Sequence, residues 1–488
     1  MWGKHKIHRQ KLLLAALTGV LLFTLGYQIS SSNAAQADEG TVASDGEKSS
    51  SPQTDEGKDV AQTAKPLLLP ISGKVLNSED NQPILDAIIF HDGKALRTDA
   101  KGEFTLEKVS PDKPVLVKAS GYRQTVVSLK ENSKLRIGLT PFSAKGLYLT
   151  HYGVSSRVIR NRVLGLIKES DLNALVLDVK GDRGLLSYKY DVPLASQDGA
   201  HKIPTIKDIK AFIHDLHEQN IYVIGRIVIF KDNILANYKP EWAIIDTRTG
   251  KPWTDNEDLA WVDPFRKEVW DYNIAIAREA AKAGFDEIQF DYVRFPTDGR
   301  LSSTKYSQVN NLENRVRTIN GFLEAAHEAL LPYNTYLSAD IFGYVPWNYN
   351  DTDIGQRIED VSKHLDYISL MVYPSGYHLG IPGYRLPVGH PHEVVYYTLE
   401  KAKKRLDGHS QKLRPWLQNF RDYAFDRRPY TGNEIKLQIQ ACNEANTSGW
   451  LLWDPSNKYT YTADAMKALK TGTVQLASAT DHRTHATR

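Results

Sequence analysis

Between residues 145 and 471 short apolar runs alternate with amphipathic stretches, eight times over, and this rhythm restricts the fold more than any other feature. Strands are expected at 146–153, 174–181, 222–230, 287–296, 336–346, 367–374, 414–420 and 449–455. Helical patterns fill 156–169, 205–219, 264–283, 311–331, 354–364, 391–407, 431–444 and 463–469. Asp263-Pro264 supplies a helix start, an N-cap acid followed by proline. Parallel strands each followed by a helix predict a (β/α)8 TIM barrel with loop insertions. An open doubly wound sheet is the rival. It would begin with a glycine-rich turn, and His151-Tyr-Gly-Val-Ser is not one.

Barrel enzymes place their chemistry at the carboxyl ends of the strands, so the polar residues there are the candidates. The second strand ends with Asp178 and Lys180, and the third carries Arg226. The fourth, within EIQFDYVRFP, gives Gln289, Asp291 and then Arg294; the fifth gives Ser338 and Asp340. The sixth contributes Tyr373, the seventh Gln418, and the eighth Trp453 and Asp454. Period-two alternation predicts that Asp178 with Lys180, Gln289 with Asp291, and Ser338 with Asp340 point into the barrel together.

Carboxylates are seldom buried unpaired, so several converging on one rim ask for a reason. A structural ion-pair network is one: Asp178 with Lys180 or Arg226, and Asp291 with Arg294. Function at a barrel rim is the other. Paired carboxylates without metal-ligand spacing suit glycoside hydrolysis, where one acid protonates the leaving oxygen and the other attacks or activates water. Adjacent strands lie about 4.8 Å apart, so Asp291 and Asp340 can approach the roughly 5–5.5 Å of a retaining pair. Asp291 is assigned as nucleophile and Asp340 as general acid/base, with the reverse left open. Arg294 or Arg226 would keep a neighbouring carboxylate ionised. Asp178, Lys180, Arg226, Gln289, Arg294, Tyr373, Gln418, Trp453 and Asp454 are the expected substrate contacts. Aromatic loop residues fit sugar faces or plain loop anchoring equally: Tyr238, Trp242, Trp253, Trp261, Tyr344, Trp347, Tyr349, Tyr377 and Tyr384.

Ahead of the barrel the pattern changes. Residues 1–37 join Lys4, Lys6, Arg9 and Lys11 to an apolar run and Ala35-Gln36-Ala37, the design of a secretory signal peptide or, if uncleaved, a membrane anchor. Either places the rest of the chain outside the cytoplasm. Without that leader, 57 basic residues face 58 acidic ones, which gives no electrostatic case for nucleic acid or for a membrane surface. Residues 38–66 are too polar to offset ordering entropy and read as a disordered linker. Residues 67–141 alternate with period two in short strands between turn signals, the mark of a small β-sandwich, and residues 472–488 read as a disordered tail. Cys442 is the single cysteine and sits in an apolar helical stretch, so it is expected in the core. His390 and His392 lack a third nearby ligand, no P-loop or G-x-S-x-G elbow occurs, and the chemistry calls for no metal or cofactor.

Two resemblances extend this reading. The line GKV…QPILDAIIF…TDAKGEFTL…VKASGY resembles the carboxypeptidase regulatory-like sandwich, with Thr98, Asp99, Gly102 and Phe104 in its hairpin and Ala119, Gly121 and Tyr122 at its end. That implies a spacer or adhesion domain. GFDEIQFDYVRFPTDG, with LVLDVKGDRG, GRIVIFKD, WVDP, SADIFGY, YISLMVYPSGY and RPWLQNF, resembles a glycoside hydrolase domain family of bacterial extracytoplasmic proteins across 145–470. The resemblance implies a barrel distantly of the α-amylase type, whose nucleophile ends strand four and whose acid ends strand five. Asp291 and Asp340 fall there, with aspartate replacing glutamate in the second place. Substrate-assisted chitinases carry a glutamate where Val293 stands, so their mechanism is not implied. The expected partner is a cell-envelope or extracellular polysaccharide. The alternatives are an inactive carbohydrate-binding barrel and an envelope scaffold whose sandwich does the binding.

Overall fold

The computed structural model describes residues 70–129 and 134–479. The leader at 1–37 and the linker at 38–66 lie outside the described residues. Eight parallel strands close into a barrel: β1 (Ala144–Leu149), β2 (Ala174–Lys180), β3 (Tyr222–Val228), β4 (Glu287–Asp291), β5 (Tyr336–Phe342), β6 (Tyr367–Met371), β7 (Trp416–Gln418) and β8 (Gly449–Trp453). The flanking helices are α1 (Arg157–Lys168), α2 (Ile209–Glu218), α3 (Lys267–Ala283), α4 (Leu312–Leu330), α5 (Ile358–Val361), α6 (Pro391–Arg405), α7 (Gly432–Glu444) and α8 (Thr462–Ala479). Ile288, Phe290, Ile341 and Leu370 point outward and pack under these helices in one continuous core. Cys442 is buried on α7. The barrel interior is a separate core of Tyr148, Val176, Tyr222, Tyr336, Tyr367, Trp416 and their neighbours, the filled centre that a (β/α)8 barrel requires.

Three expectations shift. The helix expected at 354–364 shortens to α5, because Gly355 takes a left-handed φ of +82° and Arg357 is extended. Asp263-Pro264 does not open α3, which begins at Lys267. The Asp263 carboxylate instead accepts from Phe265 N at 3.0 Å and Ser307 N at 2.6 Å, fastening a loop. At the far end, α8 runs to Ala479, into the segment expected as a tail. Once a helix is nucleated each added residue gains a hydrogen bond, so it propagates readily.

The preceding segment forms a three-stranded sheet (Glu103–Leu106, Ile71–Asn77, Lys134–Leu139) and a four-stranded one (Lys94–Arg97, Ile88–His91, Val115–Lys118, Thr125–Val127). Their shared core includes Val75, Ile89, Phe104, Val117 and Ile137. Gly102 has φ +72°, and a Cβ there would lie 2.4 Å from Val75 O, so the Asp99–Gly102 turn demands glycine. The Ala119-x-Gly121-Tyr122 end docks on the barrel floor. Tyr336 Oη donates to Ala119 O and Tyr122 O, and Gly121 N donates to Tyr367 Oη. Beside them Lys118 Nζ reaches Asp366 Oδ2 at 2.7 Å, both nearly buried. Burial opposes the Asp366 charge, but Lys118, His327 and Leu337 N together hold its carboxyl below the usual range.

Candidate active site

The inward-facing residues of the barrel form two ionic layers. In the lower one Glu287 accepts from Ser338 Oγ at 2.5 Å, from Tyr222 Oη at 3.0 Å and from Arg414 Nη1, with neither Glu287 nor Arg414 exposed. The upper layer lies further along, at the carboxyl ends, with Asp291 four residues beyond Glu287 on β4. There Arg226 stands between three aspartates. Its Nη1 is 2.6 Å from Asp178 Oδ1, its Nη2 and Nε are 2.5 and 3.0 Å from Asp291 Oδ2, and its Nε is 3.9 Å from Asp340 Oδ2. These four side chains are only 2–7% exposed.

Local structure aims each of them. Alternation on β4 turns Glu287, Gln289 and Asp291 inward, and β3 pairs Arg226 with Gln289 and with Asp178 on either side. Tyr148 Oη (2.6 Å) and His151 N (3.1 Å) both donate to Asp178 Oδ2. Trp416 Nε1 donates to Asp340 Oδ1 at 2.7 Å. Immediately after Asp291 the chain turns sharply: Tyr292 has φ +49°, and its N–H donates to Asp291 Oδ1 at 2.6 Å. An aromatic residue in the left-handed region is strained, and such strain collects at functional sites.

Burial, followed by repulsion from Asp291, raises the Asp340 carboxyl well above the ordinary range, against the pull of Arg226 and the Trp416 hydrogen bond. Burial also works against the Arg226 charge, but Asp291 and Asp178 outweigh it and raise the guanidinium. In Asp340 these surroundings therefore favour the protonated form of the carboxyl. Oδ1 accepts from Trp416, so the proton belongs on Oδ2, the oxygen facing Arg226 and Asp291. Asp291 Oδ2 and Asp340 Oδ2 both lie near one atom, Arg226 Nε, at 3.0 and 3.9 Å, which keeps these two oxygens within about 7 Å of each other.

Trp453 and Tyr373 join this group. The Trp453 ring stacks on Tyr148 with centroids 3.9 Å apart, meets Trp416 edge-on at 5.3 Å, and has the Arg226 guanidinium 5.1 Å from its centre. The Tyr373 ring packs against the barrel interior, and its phenol is raised by burial and then by the charges of Asp340 and Asp291. The other candidates do different work. Gln289, one step below, donates to Ser369 Oγ. Gln418 braces the turn after β6 through Ser375 N and Oγ. Asp454 folds its own turn by accepting from Ser456 and Tyr459.

Lys180 leaves the mouth altogether. The β2–β3 register slips so that Asp178 pairs with Arg226 but Lys180 with Ile227, leaving Val179 as an extra residue. Such a bulge reverses the alternation beyond it. Lys180 therefore points outward, to Asp232 Oδ2 at 2.8 Å and Asn273 Oδ1 on α3 at 2.7 Å. The Asp291–Arg294 pair is also replaced, since Arg226 holds Asp291 and Arg294 binds Phe295 O and Thr297 Oγ1. Three of the nine loop aromatics are buried anchors, Trp253, Trp261 and Tyr377 at 1% exposed, whereas Tyr238 and Tyr349 are 43% and 81% exposed. His392 bonds Glu444, and among the described residues no three His, Cys, Asp or Glu side chains are grouped to hold a metal ion.

Sequence reasoning passed over Tyr148, Trp416 and His151. The first two share the inward parity of Gly146 and Gln418, a signal that was there to use. A cavity of about 740 Å³ lies instead at the lower end, between sandwich and barrel, lined by Arg97, Ser120, Asp366 and Lys412. Lys412 is spent on Ser362 O and Leu365 O and Asp366 on Lys118, which makes this a crevice of the docking interface.

A family model described as "Putative glycosyl hydrolase domain" matches residues 146–459, more than half of the chain. The chain belongs to this glycosyl hydrolase family. Solved structures similar to it include a hypothetical protein from Ruminiclostridium thermocellum ATCC 27405, 38% identical over 40% of this chain and 96% of that one, TM-score 0.36. The glycoside hydrolase domain of PgaB (BpsB) from Bordetella bronchiseptica is 13% identical over 67% and 99%, TM-score 0.47. A β-galactosidase from the psychrophilic Marinomonas ef1 is 12% identical over 69% and 60%, TM-score 0.50, a likeness of fold. Among curated proteins none matches.

Proposed function

We propose that this family member is an exported retaining glycoside hydrolase, with Asp340 as general acid/base and Asp291 as nucleophile, acting on a cell-envelope or extracellular polysaccharide. The observation that carries it is the contrast inside one ionic cluster. Burial and repulsion from its neighbour favour the protonated form of Asp340, while Asp291 accepts two guanidinium bonds from Arg226. Environments that differentiate two carboxyls in this way divide the acid and nucleophile roles. Asp291 Oδ2 and Asp340 Oδ2 lie 3.0 and 3.9 Å from the one atom Arg226 Nε, a closeness compatible with the roughly 5–5.5 Å of a retaining pair, which supports retention.

In the first half-reaction Asp340 Oδ2 gives its proton to the glycosidic oxygen as an Asp291 oxygen attacks the anomeric carbon. The leaving sugar departs as an alcohol and a glycosyl ester forms on Asp291. Oδ1 is the freer oxygen for attack, with one hydrogen bond against two on Oδ2. In the second half the Asp340 carboxylate takes a proton from water, which attacks the same carbon and releases Asp291. Export rests on the basic, apolar and small-residue order of residues 1–37.

One observation favours a second reading, a barrel that binds glycan without turnover: the acids are nearly covered and Arg226 fills the space between them. Reducing-end release from a panel of envelope and α-linked polysaccharides separates the two. The hydrolase reading expects release by the wild type and at least about 10³-fold less by Asp291→Asn. Binding without release by either would establish the second.

A further inference from the structure

Three cations adjoin Asp291 or the Tyr292 ring next to it, and two of them are consumed. Arg226 is shared by Asp178 and Asp291. Lys231, 5.3 Å from the Tyr292 ring centre, is paired with Asp255 at 2.9 Å and Glu257 at 2.6 Å. Arg294 is the exception: no acid lies within ion-pair distance of it among the described residues. Asp298, a buried acid that feels the Arg294 charge, accepts from Asn256 N instead.

The Arg294 side chain is nevertheless held in place. Its guanidinium lies 4.9 Å from the Tyr292 ring centre and 5.3 Å from that of Trp261. Nη1 donates to Phe295 O at 3.0 Å and Thr297 Oγ1 at 3.4 Å. Nε and Nη2, the fork that binds a carboxylate or phosphate edge-on, have no protein partner among the described residues. The residue is half-buried, three positions beyond Asp291. Fixing a charged fork by stacking while leaving it unpaired lowers the cost of ordering it when an anion arrives.

We infer that Arg294 is a specificity residue and that the glycan taken at this mouth carries an anionic group, a sugar carboxylate or a phosphate, beside the bond to be cleaved. The inference builds on the glycan-cleaving role proposed above and names its substrate class. Bidentate, charge-assisted recognition is worth enough to change affinity about tenfold or more.

The test uses the full chain without its leader and three probes: polygalacturonate, its methyl ester, and a glycerol-phosphate-linked glycan. Both reducing-end release and binding by calorimetry are measured, for the wild type, Arg294→Gln and Arg294→Lys. The wild type is expected to favour a charged polymer over the neutral ester by about tenfold or more in KM or Kd. Arg294→Gln should collapse that preference to within about twofold, and Arg294→Lys should restore part of it, because lysine keeps the charge but not the fork. Preference for the uronate or for the phosphate polymer identifies the anion. Binding that is preferential and Arg294-dependent but yields no release retires the hydrolase reading and keeps this one. Equal binding of charged and neutral polymers, or a preference unmoved by Arg294→Gln, overturns it.

Discussion

The two ionic layers inside the barrel are built from the same kinds of residue and come out opposite. The lower layer pairs one carboxylate with one guanidinium, and Glu287 spends both oxygens on Ser338, Tyr222 and Arg414. The upper layer sets three carboxyls around one guanidinium. Charge is balanced below and in surplus above. A balanced buried pair has nothing left to exchange, whereas a surplus acid in a low-dielectric site relieves the imbalance by taking up a proton. The difference teaches where an acid can be left over for chemistry: the upper layer has carboxyls in excess of its guanidinium, and the lower has none.

The comparison can be broken most sharply by removing one acid from each layer. Glu287→Gln leaves Arg414 charged, fully buried and unpaired, and should cost about 3–5 kcal/mol of stability. Asp340→Asn imitates the protonated acid, keeps an acceptor for Trp416, and should leave neutral-pH stability equal or higher. Urea unfolding of both variants measures this. Equal losses would mean that both layers are structural.

A smaller effect sharpens the contrast through pH. Because Asp340 has a raised folded pKa, the folded state binds more protons than the unfolded one between the unfolded carboxyl value, about 3.9, and the raised value. Its contribution to stability therefore falls as pH rises through that window. Asp366 behaves in the reverse sense: its depressed carboxyl adds stability above the unfolded value, lost as pH falls through the folded one. Stability against pH should thus lose its downward alkaline-going component in Asp340→Asn and keep the acid-side loss. An unchanged curve would place the Asp340 carboxyl in the ordinary range.

Much of this was legible in the chain. Alternation within EIQFDYVRFP and the matching strands brought Asp178, Arg226, Asp291 and Asp340 to one mouth, because inward parity is local and a closed barrel has one inside. It failed at Lys180, where a single extra residue in β2 reverses the face. Nothing local announces such a bulge. Which of two arginines would hold Asp291 was also beyond reach, since Arg226 meets it across strands and Arg294 is drawn off by two rings. The strained Tyr292 left no trace in residue type, as tyrosine is a poor choice for positive φ. The Ala119-x-Gly121-Tyr122 motif could be read as the end of a sandwich, but not as the piece that seats it on the barrel floor.

The most direct test of the assigned roles compares Asp291→Asn with Asp340→Asn on the cleaved polysaccharide and on an aryl glycoside of the same sugar, whose phenolate leaves without protonation. The account predicts that Asp340→Asn loses about 10²–10⁴-fold on the polysaccharide but far less in kcat/KM on the aryl glycoside, while Asp291→Asn loses both alike. Equal losses on the two substrates for Asp340→Asn, or full activity in either variant, would contradict it.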